Sequence, residues 1–151
     1  MLRAALSDAL KEAMKAKDAR TVGTVRLILA ALKDRDIAAR DKGNKSGIPD
    51  EEILGMLQSM IRQRRDSIEL FHKGGRQDLV DQESEEIRII ERFLPKQMSE
   101  DEVRAAVDKA IAALGAAGLK DMGRTMAALR EGYAGRMDFA KASQLVKQKL
   151  G

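Results

Sequence analysis

The chain has 151 residues and a net charge of +4, with 44% hydrophobic and 34% charged residues, no cysteine and no tryptophan. This length is typical of one domain, or of one domain with a small appendage. Without cysteine, a disulfide framework and a thiolate metal site are excluded. No apolar stretch approaches the roughly 20 residues that a transmembrane helix needs, so we expect no membrane partner.

The N-terminal segment, MLRAALSDALKEAMKAK, places Leu2, Leu6 and Leu10 four residues apart, which predicts an amphipathic helix from Leu2 to Lys17. Charged residues interrupt this segment, so it lacks the uninterrupted apolar region of a secretory signal peptide. We therefore expect a cytoplasmic protein.

The next predicted helix, from Thr21 to Asp41, is apolar on nearly every side. A helix of this kind usually lies at the centre of a fold, surrounded by other helices. Arg26 and Lys33 are seven residues apart and share one face of this helix. We expect carboxylate side chains within the fold to pair with them.

An antiparallel pair of amphipathic helices is predicted between Glu51 and Gln97, because apolar residues recur three or four positions apart in each half. Gly74 and Gly75 supply the turn between the helices, and Pro95 ends the second one. The apolar residues are Ile53, Leu57, Met60, Ile61, Ile68 and Phe71 in the first helix, and Leu79, Val80, Ile87, Ile90, Phe93 and Leu94 in the second.

One charged residue interrupts each apolar stripe of this pair of helices: Arg64 in the first and Glu83 in the second. An unpaired charge in the interior costs several kcal/mol. The sequence therefore predicts a partly buried, bidentate ion pair between Arg64 and Glu83, with Ser67 as a further hydrogen-bonding neighbour. The alternative is a small rotation of either helix that lets the charge reach solvent.

Three more helices are predicted in the remainder of the chain. Ser99 and Glu102 have the spacing of a capping box, and Asp121 can cap the following helix. The whole sequence thus predicts an all-α, multihelical fold of roughly seven helices, with a four-helix N-terminal domain over residues 1–95 and a three-helix C-terminal bundle over residues 96–151.

The sequence shows no catalytic constellation. Its only histidine, His72, lies in the last turn of a predicted helix, where the helix dipole favours a basic group. Ser67 lies in mid-helix, without the strained turn that exposes a serine nucleophile. The Glu-x-x-His spacing of helical di-iron sites, a Walker loop and a dinucleotide fingerprint are also missing. We therefore predict no catalytic residue, no metal and no cofactor, while enzymatic activity within a larger assembly stays open.

Binding to an anionic partner has more support in the sequence. Basic side chains occur at positions that point away from the apolar stripes, and phosphate binding needs such residues. An ordinary solvated helix face has the same pattern, so a solvated surface without a nucleic-acid partner is the alternative. The candidate nucleic-acid contacts, chosen by charge and position, are Arg62, Arg65, Lys120, Arg124, Lys147 and Lys149.

Several short motifs, in order and with matching spacings, resemble the YqeY family. They are KEAMKAKD at 11–18, RLILAALKD at 26–34, MIRQRRDSI at 60–68, GRQDL at 75–79, FLPKQMS at 93–99 and DMGRTM at 121–126. The resemblance covers nearly the whole chain. That family is similar to the tail domain of the B subunit of the tRNA-dependent amidotransferase (GatB).

The resemblance implies an all-helical fold with four N-terminal and three C-terminal helices. It also implies carbon–nitrogen ligase activity with glutamine as amido-nitrogen donor, as a component of a glutamine-dependent amidotransferase. In that enzyme the tail contacts tRNA, and other domains carry out the catalysis. Our leading expectation is therefore a noncatalytic tRNA-binding or tRNA-associated accessory protein, with tRNA and with translation or amidotransferase proteins as partners. The second expectation is a component of a glutamine-dependent amidotransferase, and the third is a protein-interaction module without a role in RNA binding.

Overall fold

The computed structural model describes all residues from 1 to 151, and they form an entirely helical fold. This confirms the prediction of an all-α fold with four helices before Pro95 and three after it. A single turn of 3-10 helix, Leu119–Asp121, precedes the sixth helix. The α-helices are α1 Leu2–Lys15, α2 Ala19–Asp41, α3 Asp50–Lys73, α4 Gln77–Glu91, α5 Glu100–Leu114, α6 Met122–Tyr133 and α7 Phe139–Leu150.

The chain divides into two compact units, Met1–Leu94 and Pro95–Gly151, and each has its own hydrophobic core. None of the helices combines the length and the apolar character that crossing a membrane would require. The core of the first unit includes Leu6, Ile28, Leu32, Ile53, Met56, Leu57, Ile61, Ile87 and Ile90. The core of the second includes Val103, Val107, Met126, Leu129, Met137, Ala142, Val146 and Leu150.

The predicted pair of helices in the first unit is α3 and α4, which pack closely against each other. The turn between them uses one glycine rather than two. Gly75 has a φ of 70°, a left-handed conformation that glycine adopts without steric cost, whereas Gly74 has a φ of −83°. The backbone N–H of Arg76 donates to the carbonyl oxygen of Phe71 and closes the turn.

Polar side chains begin several of the helices. At α5, Ser99 Oγ accepts from the N–H of Glu102 at 3.2 Å, and Glu102 Oε1 accepts from the N–H of Ser99 at 3.0 Å, which confirms the predicted capping box. Asp121 occupies the N-cap position of α6, as predicted, but its side chain forms no cap hydrogen bond with that helix. The carboxylate of Asp121 accepts instead from the N–H groups of Ala117 and Gly118, because the chain enters α6 through a 3-10 turn that this carboxylate closes.

The prediction that α2 is surrounded by other helices was also wrong. This helix packs mainly against α1 and α4, and its opposite face is open to solvent. Leu27 and Ile37 on the open side are 51% and 47% exposed. The apolar content of α2 therefore exceeds what the first unit buries. The residues of α2 that are buried are Thr21, Thr24, Val25, Ile28 and Leu32.

Candidate nucleic-acid interface

A largely buried arginine lies between α3 and α4. The side chain of Arg64 is 13% exposed, and its Nε donates to Glu86 Oε2 at 3.1 Å. Its Nη1 donates to the carbonyl oxygen of Met60 at 3.2 Å. The predicted partner, Glu83, lies 4.0 Å from Nε, which is an ion-pair contact without a hydrogen bond. Arg64 thus has one hydrogen-bonded carboxylate and one more distant carboxylate, rather than a bidentate pair.

Arg20 of α2 extends this cluster. Its Nε lies 3.4 Å from Glu85, and its Nη1 lies 4.0 Å from Glu86. The cluster joins α2, α3 and α4 with two arginines and three glutamates, so its net charge is −1 when every group is ionised. The pKa of Glu83 is raised, mainly by burial and then by the charge of Glu86, against the opposing charge of Arg64.

Glu86 was not singled out from the sequence, and the structure buries it to 9% exposure. The signal was available in the helical spacing, because Glu86 follows Leu79 by seven residues and precedes Ile90 by four. Both spacings place it on the apolar face of the helix. Arg20 had no comparable signal, because its carboxylate partners lie on a helix far along the chain.

The cluster borders an open cleft of about 460 Å³ between α2 and α4. Thr24 lines this cleft, is 1% exposed, and has a hydroxyl with no hydrogen-bond partner. No base is hydrogen-bonded to this hydroxyl to activate it as a nucleophile. The cleft offers charged groups that can bind ions. Its lining residues are Ala19, Arg20, Gly23, Thr24, Glu85 and Glu86.

The only histidine of the chain lies at the end of a helix. His72 is exposed in the last turn of α3, where the helix dipole favours a basic side chain. No group of three or more histidine, cysteine, aspartate or glutamate side chains is arranged to hold a metal ion.

Two of the six predicted nucleic-acid contacts, Arg62 and Arg65, lie on α3 in the first unit. Both are exposed, and neither forms a salt bridge. Their spacing of three residues places them about one turn apart on the side of α3 that faces solvent. Each guanidinium can therefore bind a phosphate without first leaving a carboxylate.

Two of the contacts predicted in the second unit are already paired. Arg124 Nε lies 3.0 Å from Asp121 Oδ1. The ammonium group of Lys149 contacts the carboxylate of Asp108. Half of the Arg124 side chain and 37% of the Lys149 side chain are still exposed, but each positive charge is compensated by its neighbour. These two residues are therefore weaker phosphate contacts than the sequence indicates.

The other two predicted contacts in the second unit, Lys120 and Lys147, are exposed and form no salt bridge. Lys120 belongs to the 3-10 turn, and this turn packs against α7, which carries Lys147. The fold thus brings together the two elements that hold unpaired lysines.

Three more unpaired bases lie in a row on α2. Arg26 and Lys33 are exposed without a salt bridge, so the prediction that carboxylates of the fold pair with them was wrong. Arg40 follows Lys33 by seven residues and is exposed and without a salt bridge as well. The open face of α2 leaves Arg26 and Lys33 without a carboxylate partner, whereas the charge of Arg40 acts on Asp36 without forming a salt bridge.

Comparison with known protein families gives a match over almost the whole chain. The family model described as "Yqey-like protein" matches residues 3–150. This range includes both compact units and all seven α-helices almost completely.

Fungal proteins named "Altered inheritance of mitochondria protein 41, mitochondrial" are similar to the chain. The protein of Kluyveromyces lactis is 41% identical over 91 residues, which are 60% of this chain and 46% of that protein. That of Lachancea thermotolerans is 36% identical over 107 residues, 70% of this chain and 55% of that protein. That of Saccharomyces cerevisiae is 35% identical over 85 residues, 56% of this chain and 44% of that protein. The chain spans about half the length of these relatives.

These names correct the expectation of a cytoplasmic protein. All three relatives are named as mitochondrial proteins. The sequence argument considered only a secretory signal peptide, and organellar targeting segments have a different composition, being amphipathic and rich in arginine and serine. The inference from the missing signal peptide to the cytoplasm was therefore wrong.

Proposed function

The chain belongs to the YqeY-like protein family, and from this membership and its exposed bases we propose that it is a noncatalytic tRNA-binding or tRNA-associated accessory protein. The resemblance of the family to the tRNA-contacting tail of an amidotransferase supports the choice of tRNA as the nucleic acid. The chemistry of binding is the exchange of counterions on phosphates for arginine and lysine side chains.

The observation that carries the proposal is the difference in environment between the arginines of the segment Arg62-Gln-Arg-Arg65. The helix turns Arg64 inward to Glu86 and leaves Arg62 and Arg65 exposed without carboxylate partners. Arg64 needs a carboxylate because it is largely buried, whereas the exposed Arg62 and Arg65 keep their charges free for a ligand. Unpaired arginines on a helix surface are instead suited to phosphate oxygens, which a guanidinium can bind through two hydrogen bonds.

The polar groups of the chain support the noncatalytic part of the proposal. The cleft between α2 and α4 holds Arg20, glutamates and a buried threonine to which no base is hydrogen-bonded. Carbon–nitrogen ligation with glutamine needs a group that attacks the amide and a site that activates the acceptor. In the proposed function, other proteins of an assembly supply these groups, and this chain supplies contact with tRNA.

The experiment is a tRNA-binding titration with charge-reversal variants of one residue in each unit, Arg62→Glu and Lys147→Glu. Each variant is expected to lower the affinity by about tenfold or more, because a charge-assisted contact is lost and a repulsion is introduced. The matched control is Arg62→Lys, which keeps the positive charge but not the paired N–H groups and should lose less affinity than Arg62→Glu. Thermal unfolding of each variant shows whether the fold is kept.

Three results would contradict the proposal. If neither charge reversal changes the affinity for tRNA, the surfaces around Arg62 and Lys147 are excluded as binding sites. A wild-type dissociation constant in the non-specific range of about 10⁻⁴ to 10⁻⁶ M at physiological salt would favour a protein-interaction module instead. Glutamine-dependent amidation of a charged tRNA by the isolated chain would show an enzyme.

A further inference from the structure

The open face of α2 carries a repeat of seven residues. Small or apolar residues stand at its start, a base follows three positions later, and leucine or aspartate follows four positions later. All nine residues are exposed. They are Gly23, Ala30 and Ile37, then Arg26, Lys33 and Arg40, and then Leu27, Asp34 and Asp41.

On an α-helix, the residues three and four positions after a given residue lie on either side of it, one turn on. The repeat therefore makes a strip of small and apolar side chains with a basic edge on one side and an edge of leucine and aspartates on the other. None of the five charged residues forms a salt bridge. Both edges thus present charges of opposite sign on the same exposed face, and only Arg40 also acts on a carboxylate of its own helix, that of Asp36.

We propose that this face is a self-association surface, on which α2 of one copy lies parallel to α2 of a second copy. In a parallel pair with twofold symmetry, each basic edge faces the acidic edge of the other copy, so Lys33 comes near Asp34 and Arg40 near Asp41 across the interface. In an antiparallel pair, like edges would meet, and their charges would repel. The charge pattern therefore selects the parallel arrangement.

The apolar part of the face favours a second copy over a polyanion. Leu27 and Ile37 are about half exposed, and a helix seated on the strip would cover them. Gly23 and Ala30 have little or no side chain, so two helices can approach closely there. A nucleic acid would use the three bases, but it would gain nothing from the apolar strip and would be repelled by Asp34 and Asp41. This inference does not rest on tRNA binding.

Sedimentation equilibrium of the full chain, from low micromolar to near-millimolar concentration, tests the proposal. We expect a monomer–dimer equilibrium. Ile37→Glu should raise the dissociation constant by about tenfold or more, because it removes the largest apolar side chain of the strip. The matched control is Arg35→Glu, an exposed base of α2 that lies outside the repeat and forms no salt bridge, and it should leave the constant unchanged.

A charge swap tests the parallel arrangement independently of apolar burial. Lys33→Glu should weaken the dimer, and adding Asp34→Lys on the same chain should restore it. Positions 33 and 34 have then exchanged their charges in both copies, so opposite charges meet again across the interface. The proposal is overturned by a chain that stays monomeric over the whole range, or by a dimer that is indifferent to Ile37→Glu. It is equally overturned if Lys33→Glu lowers tRNA affinity but leaves association unchanged.

Discussion

Arg3 of α1 binds Asp36 of α2 through two hydrogen bonds, from Nη1 at 2.6 Å and from Nη2 at 2.8 Å. Nη2 also donates to the carbonyl oxygen of Ile48, and Asp36 Oδ1 accepts from the N–H of the same residue, each at 2.9 Å. One ion pair therefore joins two helices to the loop before α3. The hydrogen bonds from Arg3 are the main reason that the pKa of Asp36 falls to about 2.

This lowered pKa makes the stability of the first unit depend on pH. Because the pKa of Asp36 is about 2 in the folded chain and about 3.9 in an unfolded one, its contribution is fully present above about pH 4 and is lost as the pH falls towards 2. Asp36→Asn should lower the free energy of unfolding by about 1–2 kcal/mol at pH 7. The difference from the wild type should shrink below about pH 4. Urea unfolding at a series of pH values measures both quantities, and two parallel pH curves would show that Asp36 is not the group responsible.

Gly47 allows the close approach of Arg3 and Asp36. It has a φ of 88°, and a β-carbon there would lie 2.6 Å from Arg3 Nη2 and 2.9 Å from Asp36 Oδ1. Gly47→Ala should therefore cost at least about 2 kcal/mol, from backbone strain and from the displaced ion pair together. Gly43 provides the matched control, since its φ is 95° and nothing lies within 4 Å of the added carbon.

Gly43→Ala should cost only the backbone strain, about 1 kcal/mol. Chemical unfolding of the two variants side by side gives the comparison. Equal losses of stability in the two variants would mean that the Arg3–Asp36 ion pair accommodates the added methyl group without an energetic cost.

The two carboxylates beside Arg64 should respond oppositely to the loss of their charge. Glu86→Gln removes the negative charge from the group that accepts the hydrogen bond of a largely buried guanidinium, and it should cost about 1–3 kcal/mol. The raised pKa of Glu83 means that its ionised form is less favourable in the folded chain than in the unfolded one. Glu83→Gln should therefore leave the free energy of unfolding at pH 7 unchanged or increase it.

As the pH falls and Glu83 takes up a proton, the free energy of unfolding of the wild type should rise relative to that of Glu83→Gln. The difference in stability between the two proteins should therefore narrow. Thermal unfolding at several pH values follows this change. A larger loss for Glu83→Gln than for Glu86→Gln would reverse the assignment of the two carboxylates.

Helical spacing predicted that Arg64 faces the interior, because periodicity reports the direction in which a side chain points. It predicted the ion-pair contact with Glu83 but not the hydrogen-bonded partner, Glu86. Glu83 and Glu86 are one turn apart on the same side of α4, and the offset of α4 along α3 decides which of them Arg64 reaches. This offset depends on the packing of the whole unit, and no local pattern encodes it.

Contacts between distant parts of the chain were missed for the same reason. The pairing of Arg3 with Asp36 joins two helices at positions that carry no shared motif. The predicted position of α2 was wrong for a different reason. Composition indicates how much apolar surface a helix has, whereas the fold determines how many neighbouring helices cover that surface. The capping box of Ser99 and Glu102 was predicted correctly, because a cap depends on four consecutive residues.

The most direct test of tRNA binding is the dependence of its affinity on salt. The logarithm of the association constant should fall linearly with the logarithm of the salt concentration, by about 0.7–0.9 for each phosphate contact. Replacing both Arg62 and Arg65 by alanine removes two such contacts and should make the slope shallower by about 1.4–1.8. An affinity that does not change with salt, or a slope that the double replacement leaves unaltered, would contradict phosphate binding through these arginines.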